Sequence, residues 1–339
     1  MNTFGTKIRF TSFGESHGPA VGGVLDGFPA GKTIDLDFIR QQVISRQPQT
    51  GYSTARHEAD DIVWLSGISI IDDHKAFSLG SPIAFYVANN DIRPQDYDGR
   101  PRPGHADLTY SLKYGIAPQP GGGRASARET VARIIAGALC ETLLIERGVR
   151  ILAYTDAIGN IHCTEDYGKL NLDGIYDNPL RCPDSTASER MESLLHDIKA
   201  RHDSIGGIVK VVIKGMPAGI GNPIFGRLPA MLAHAMLTIN ACKGFDYGSG
   251  FNGAAQPGSE LNDPILPDWQ SLPQQSQHTV TNHAGGCLGG ITTGNDIVFR
   301  VVFKPTPTIG SQGRHDVCIV PRAVSVVKAM TALTLTNAM

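Results

Sequence analysis

Residues 121–148 read GGGRASARETVARIIAGALCETLLIERG, and the rest of the chain is read outward from them. Val131, Ile134, Ile135, Ala138, Leu139 and Leu143 recur at helical spacing. Ser126 and Glu129 have the S-x-x-E spacing of a capping box, and Gly148 stands where a left-handed glycine would close the helix. This predicts a well-bounded, apolar helix entered from a triple glycine. A helix N-terminus offers free N–H groups and a positive dipole end, so glycines 121–123 with Arg124 and Arg128 make a candidate anion site; an ordinary loop and cap is the competing reading.

On either side, residues 36–45, 228–239 and 322–335 also carry helical patterns. Residues 7–12, 83–88, 208–213 and 297–303 read as strands. The last two are too apolar to keep a wet face and are expected to be buried. Residues 178–188 and 258–277 are polar and proline-containing and read as surface loops. No repeat or linker interrupts the pattern, so one domain of mixed α and β over residues 1–339 is expected.

Composition narrows the function. The 339 residues include 41% hydrophobic and 18% charged residues, with a net charge of −2. No global field attracts nucleic acid or a membrane, so an anion site must come from local arginines. Met1 to Phe10 lacks the apolar core of a signal peptide, and no run reaches the roughly 18 residues of a membrane span. The 6 cysteines show no C-x-x-C, which argues against a metal site or a disulfide framework and for a reducing cytoplasm.

Two familiar motifs fail inspection. GSGFNG at 248–253 has dinucleotide spacing but runs into AAQPG, which has no helical period. GFPAGKT at 27–33 is one residue short of a phosphate loop, and Asp26 stands where its first glycine belongs. Three histidines survive inspection. His17, His105 and His315 lie beside arginines or within glycine- and proline-shaped loops, which suits acid chemistry on an anionic leaving group.

Taken together, the segments resemble the chorismate synthase family. They are FGESHG (13–18), RPGHAD (102–107), KYG (113–115), GGGRASARET (121–130), DSIG (203–206), INACKG (239–244), NHAGGCLGG (282–290), KPT (304–306), GRHD (313–316) and RAV (322–324). The resemblance implies an α+β four-layer β-α-α-β sandwich, assembled as a homotetramer. It implies 1,4-anti elimination of phosphate from 5-enolpyruvylshikimate-3-phosphate, giving chorismate, with reduced FMN required although no net redox change occurs. By this resemblance His105 acts on the departing phosphate, His17 on the reduced flavin, and Asp316 helps remove the C6 hydrogen. Ser16, Arg46, Arg102, Ser126, Arg128 and Arg314 would hold the substrate. Arg124, Ala125, Ser126, Asn240, Ala241, Gly289, Lys304, Pro305, Thr306, Pro307, Thr308 and Arg314 would contact the flavin. An external flavin reductase is one source of reduced cofactor, and some family members use NADPH themselves.

This chain departs from the family pattern at Gly51, Pro120 and Ala125, and in the few residues between Thr308 and Gly313, where members carry a longer segment. The family has arginine where Gly51 stands, so Gly51→Arg is expected to restore a cation beside Arg46. Two other readings stay open: a flavin oxidoreductase, and a catalytically impaired paralogue that binds flavin or an anion.

Overall fold

The computed structural model describes residues 1–339 apart from 49, 50, 55, 57 and 311–315. The strands in chain order are β1 (Thr3–Phe4), β2 (Arg9–Gly14), β3 (Ala20–Asp26), β4 (Thr33–Asp35), β5 (Ile62–Ser66), β6 (Ile68–Ile70), β7 (Lys75–Ser78) and β8 (Ile83–Ala88). They continue with β9 (Arg150–Ile158), β10 (Ile161–His162), β11 (Gly207–Lys214), β12 (Cys242–Tyr247), β13 (Cys287–Leu288), β14 (Ile291–Thr292) and β15 (Ile297–Phe303). The helices are α1 (Leu36–Ile44), α2 (Asp107–Tyr114), α3 (Thr130–Ile145), α4 (Ser185–Ala200), α5 (Leu228–Leu237), α6 (Gly258–Leu261) and α7 (Val320–Ala338).

Among the described residues two five-stranded sheets form, in the orders β1-β2-β3-β8-β5 and β10-β9-β11-β15-β12. Helix α3 packs on the first sheet, α7 packs on α3, and the second sheet packs on α7. This is the expected β-α-α-β sandwich. The two middle helices are apolar nearly all round because both of their faces are covered. Their close approach depends on Gly137, where an added Cβ would stand 2.5 Å from the Cα of Ala329. One continuous core runs from Phe10, Leu25 and Phe85 through Ile135 and Leu139 to Val327, Val211 and Phe299. Asn337, near the end of α7, ties down the N-terminus: its Oδ1 accepts from the N–H groups of Thr6 and Lys7 at 2.8 and 3.0 Å.

Several sequence expectations are corrected. The capping box does not form. Ser126 caps a single 3₁₀ turn, and Glu129 pairs with Arg133 at 2.9 Å, so the α-helix begins at Thr130. Gly148 does adopt the left-handed conformation, with φ 77°. Strand β15 is buried on one face only. Ile297, Phe299, Val301 and Phe303 face the core, while Val302 is 40% exposed on the outer face. Residues 178–188 are not all loop, because Asp184 caps α4 through a 2.9 Å bond from the Ala187 N–H. The apolar stripe of α4 is Ala187, Met191, Leu194, Leu195 and Ile198, a helical spacing that begins at the end of the stretch read as loop. Helix α2 is likewise unforeseen.

The refused motifs stay refused. Residues 250–255 form a 3₁₀ turn with no following long helix, and residues 27–31 are a turn leading into β4.

Candidate active site

Loops at one end of the two middle helices converge. The turn between β2 and β3 carries Ser16 and His17. Ser16 donates its N–H to Gly123 O at 3.1 Å, which docks this turn on the triple glycine. Glycines 121–123 all have positive φ. Gly121 has to be glycine for a second reason: an added Cβ would lie 2.3 Å from Cε1 of His17. Gly121 thus serves close approach of the His17 loop, and the Gly123 carbonyl its docking.

The His17 ring meets Tyr97 edge-on at 5.2 Å, and the Arg102 guanidinium lies 5.1 Å from the centre of the same Tyr97 ring. Asp107 grips Arg102 bidentately at 2.7 and 3.0 Å. Burial opposes the charge on Arg102, but the Asp107 carboxylate outweighs it and holds Arg102 above its usual value.

His105 sits between two loops. Its Nδ1 is 3.0 Å from Pro103 O and its Nε2 is 3.0 Å from Thr308 Oγ1. A carbonyl only accepts, so Nδ1 carries the hydrogen and the neutral ring receives the Thr308 hydroxyl at Nε2. Burial, opposed by the Pro103 carbonyl and reinforced by Arg102 and Lys304, holds this imidazole below its ordinary 6.5. Lys304 donates Nζ to Gly104 O at 2.9 Å, and its N–H goes to Ala241 O at 3.0 Å. The run from Lys304 to Thr308 therefore joins the His105 loop to the Asn240 loop. Asn240 Nδ2 donates to Ala125 O at 2.9 Å, while its buried Oδ1 has no hydrogen-bond partner among the described residues.

A small cleft of about 30 Å³ opens beside this seam, lined by Arg46, Thr130, Asn240, Ile319, Arg322 and Val326. Arg46 Nε donates to Thr130 Oγ1 at 2.9 Å, and its Nη2 to Ala127 O at 3.1 Å. Burial, then the neighbouring Arg322, pull the Arg46 guanidinium down to about 9 against the attraction of Asp60, whose Oδ2 lies 3.7 Å from Arg46 Nη1, and it stays charged at neutral pH. Arg322 donates Nε to Arg46 O at 3.1 Å and Nη1 to Asp316 Oδ2 at 2.7 Å. Asp316 Oδ1 accepts the Thr54 N–H at 3.0 Å, and Asp316 O accepts the Thr306 hydroxyl at 2.7 Å.

The structure thus brings together Ser16, His17, Arg46, Arg102, His105, Ala125, Asn240, Ala241, Lys304, Thr306, Thr308 and Asp316. Pro305 and Pro307 shape the run, Pro307 lying against Gly104. Other expected residues are placed differently. Arg128 is turned inward: Nε bonds Asn89 Oδ1 at 2.8 Å, Nη2 bonds Ala88 O at 3.1 Å, and Nη1 pairs with Asp60. It braces the frame, because Asn89 also holds the His17 turn through Glu15 O and Gly18 O. Arg124 reaches Ser12 O at 2.9 Å rather than the cleft. Ser126 Oγ accepts the Arg128 N–H at 3.4 Å. Gly289 tops the β13–β14 hairpin, which docks at the start of α5 through the Leu228 N–H to Gly290 O bond of 2.9 Å. Arg314 lies outside the described residues.

Gly51 does not face Arg46. Its carbonyl accepts Lys199 Nζ at 2.9 Å, so an arginine here would meet α4, and the expected gain in substrate binding falls away. The cation beside Arg46 is Arg322, which the sequence reading passed over although it opens the RAV segment. Arg56 was also missed. It bonds Ser16 Oγ at 3.1 Å and Glu58 Oε1 at 2.7 Å. Burial pushes the Glu58 carboxyl up, but the Asn90 N–H and Arg56 outweigh it and leave it low. No sequence period marks Arg56 or Arg322; only the fold brings them here.

The scaffold is a four-layer α+β sandwich in which two arginines line a cleft and two histidines lie in neighbouring loops. The family model for chorismate synthase matches residues 8–312. Chorismate synthase of Bacteroides fragilis (strain YCH46) is 45% identical over 355 residues, covering 99% of this chain and 96% of that protein. Chorismate synthase of Archaeoglobus fulgidus is 43% identical over 359 residues, covering 100% of this chain and 97% of that protein. A solved structure titled "Crystal Structure of Chorismate Synthase" superposes with a TM-score of 0.81 at 31% identity, covering 99% of this chain and 92% of that one. The chain belongs to the chorismate synthase family.

Proposed function

We infer that this chain is a lyase that eliminates phosphate from 5-enolpyruvylshikimate-3-phosphate to give chorismate, a step of aromatic amino acid biosynthesis. The observation that carries this, beside family membership, is the cleft where Arg46 and Arg322 lie side by side, Arg46 sharing Asp60 with Arg128 while Asp316 pairs with Arg322. A substrate with a phosphate and two carboxylates needs such excess cations held in a sheltered pocket. Neither the impaired paralogue nor the oxidoreductase gains an observation of its own.

The residues present suit reduced FMN. The unpartnered Oδ1 of Asn240 asks for a donor, and Ala125, Asn240, Ala241 and the run from Lys304 to Thr308 are already joined around it. Reduced flavin, when bound, would lend electron density as phosphate leaves and recover it as the C6 hydrogen goes. The chain's own residues do the rest. His105 receives a proton more readily once a phosphate dianion lies near Nε2, and it can return that proton to the leaving group. Asp316, held by Arg322 and the Thr54 N–H, is a fixed carboxylate that accepts the C6 proton. His17 is held by Gly121 and Tyr97 and serves the flavin. Arg46, Arg102 and Arg322 orient the anion.

The assembly we propose is a homotetramer in the cytoplasm, with reduced flavin from an external reductase or from NADPH. Exposed Leu65, Ile70, Ile71 and Leu79 around β5 to β7 support burial against other copies. Among the described residues no helix is long and apolar enough to cross a membrane.

The test is anaerobic. With reduced FMN the protein should release phosphate from 5-enolpyruvylshikimate-3-phosphate, and with oxidised FMN it should not turn over. Equal release without any flavin would overturn the reading.

A further inference from the structure

The segment from residue 164 to 181 lies over the outer face of the second sheet. Leu172 and Ile175 pack there on Tyr154 and Val212. Both ends of the segment are clamped at one place. Asp184 caps α4 and also accepts the Thr164 N–H at 3.1 Å. Beside this clamp Cys163, which precedes the segment, and Cys182, which follows it, hold their sulfurs 3.5 Å apart. All 6 cysteines are free, and Cys140, Cys242, Cys287 and Cys318 make no sulfur–sulfur contact among the described residues. Cys163 is partly exposed and Cys182 is buried.

We propose that Cys163 and Cys182 form a peroxide-sensitive dithiol whose oxidation to a disulfide closes this segment into a covalent loop at its base. Cys163, the more accessible sulfur, attacks one oxygen of hydrogen peroxide. The O–O bond breaks, water leaves and Cys163 becomes a sulfenic acid. Cys182 then attacks the Cys163 sulfur and expels a second water. Two thiols are oxidised, one peroxide is reduced, and a reducing dithiol reverses the change.

The location gives the bond a route to the cleft. Arg181, next to Cys182, is 2% exposed and donates Nη1 to Ser325 Oγ at 2.8 Å. Ser325 in turn bonds Ser45 O at 3.1 Å, beside Arg46.

The full-length protein, treated with hydrogen peroxide at about pH 9, near the ordinary thiol value, tests this. Two of its 6 thiols should be lost, the intact mass should fall by two hydrogens, and digestion after Lys169 and Arg181 should yield peptides joined through Cys163 and Cys182. A reducing dithiol should restore both thiols. Cys163→Ser should leave the buried Cys182 unreacted under the same treatment. The proposal is overturned by higher oxidation of either sulfur without a link, by a link to another cysteine, by an unchanged thiol count, or by loss of Cys182 in Cys163→Ser at the parent rate.

Discussion

Asp316 is one carboxylate with two jobs that a single substitution can separate. It anchors Arg322 at 2.7 Å, and it is the proposed acceptor of the C6 proton. Asparagine keeps the shape and one acceptor oxygen, but it cannot take up a proton. Loss of a general base typically costs about 10²–10⁴ in rate. Asp316→Asn should therefore lower turnover at least about a hundredfold, with a smaller loss of substrate affinity because Arg322 is held less firmly. Deuterium at C6 should enlarge the isotope effect in this variant and not in His105→Ala, which is slowed at the phosphate. Turnover at the parent rate would remove Asp316 from the chemistry.

His105 makes a pH prediction at the same scale. Its folded value lies below the unfolded 6.5, so protonation disfavours the fold. Its contribution to stability is present above pH 6.5 and is lost as pH falls below that value. NMR titration of the His105 ring should give a midpoint under 6.5 in the free protein and a higher one with inorganic phosphate. A free-protein midpoint at or above 6.5 would contradict the proposed environment.

At the scale of elements, the α3–α7 contact sets the spacing of the middle layers and so of the cleft, since Thr130 starts one helix and Arg322 lies in the first turn of the other. Two effects oppose each other at Gly137. Replacing a helical glycine by alanine gains about 1 kcal/mol in propensity. Here the new Cβ would stand 2.5 Å from the Ala329 Cα and Cβ, and overpacking costs about 1–3 kcal/mol. The neighbour is largely backbone and cannot turn away, so packing should win. Gly137→Ala should lower the denaturant midpoint with an unchanged slope, and Gly137→Val should lower it further. A more stable alanine variant would mean that the helices separate easily.

At the scale of the whole molecule, large apolar side chains left uncovered on β5 to β7 call for a partner surface. Leu65, Ile71 and Leu79 are 60%, 61% and 51% exposed. Light scattering should report a tetramer at micromolar protein, and Ile71→Glu should shift it toward smaller species. A monomer at that concentration would count against the proposed assembly.

Local chemistry was legible in the sequence. The period of residues 131–143, the left-handed Gly148, the strands at 83–88 and 297–303 and the ordered loop motifs all rest on neighbours close along the chain, where spacing alone decides which face a side chain takes. The ordered motifs likewise carried the family and the four-layer fold. Only the tertiary structure decided which charged groups meet. Arg128 looked like a substrate ligand, but its nitrogens are taken by Asp60, Asn89 and Ala88, 68, 39 and 40 residues away. Arg322 proved to be the cation beside Arg46, 276 residues distant, and Cys163 met Cys182 across a folded segment. A guanidinium or a thiol has the same local signature whether it faces a ligand or a partner. The difference lies in long-range packing, to which periodicity along the chain is blind.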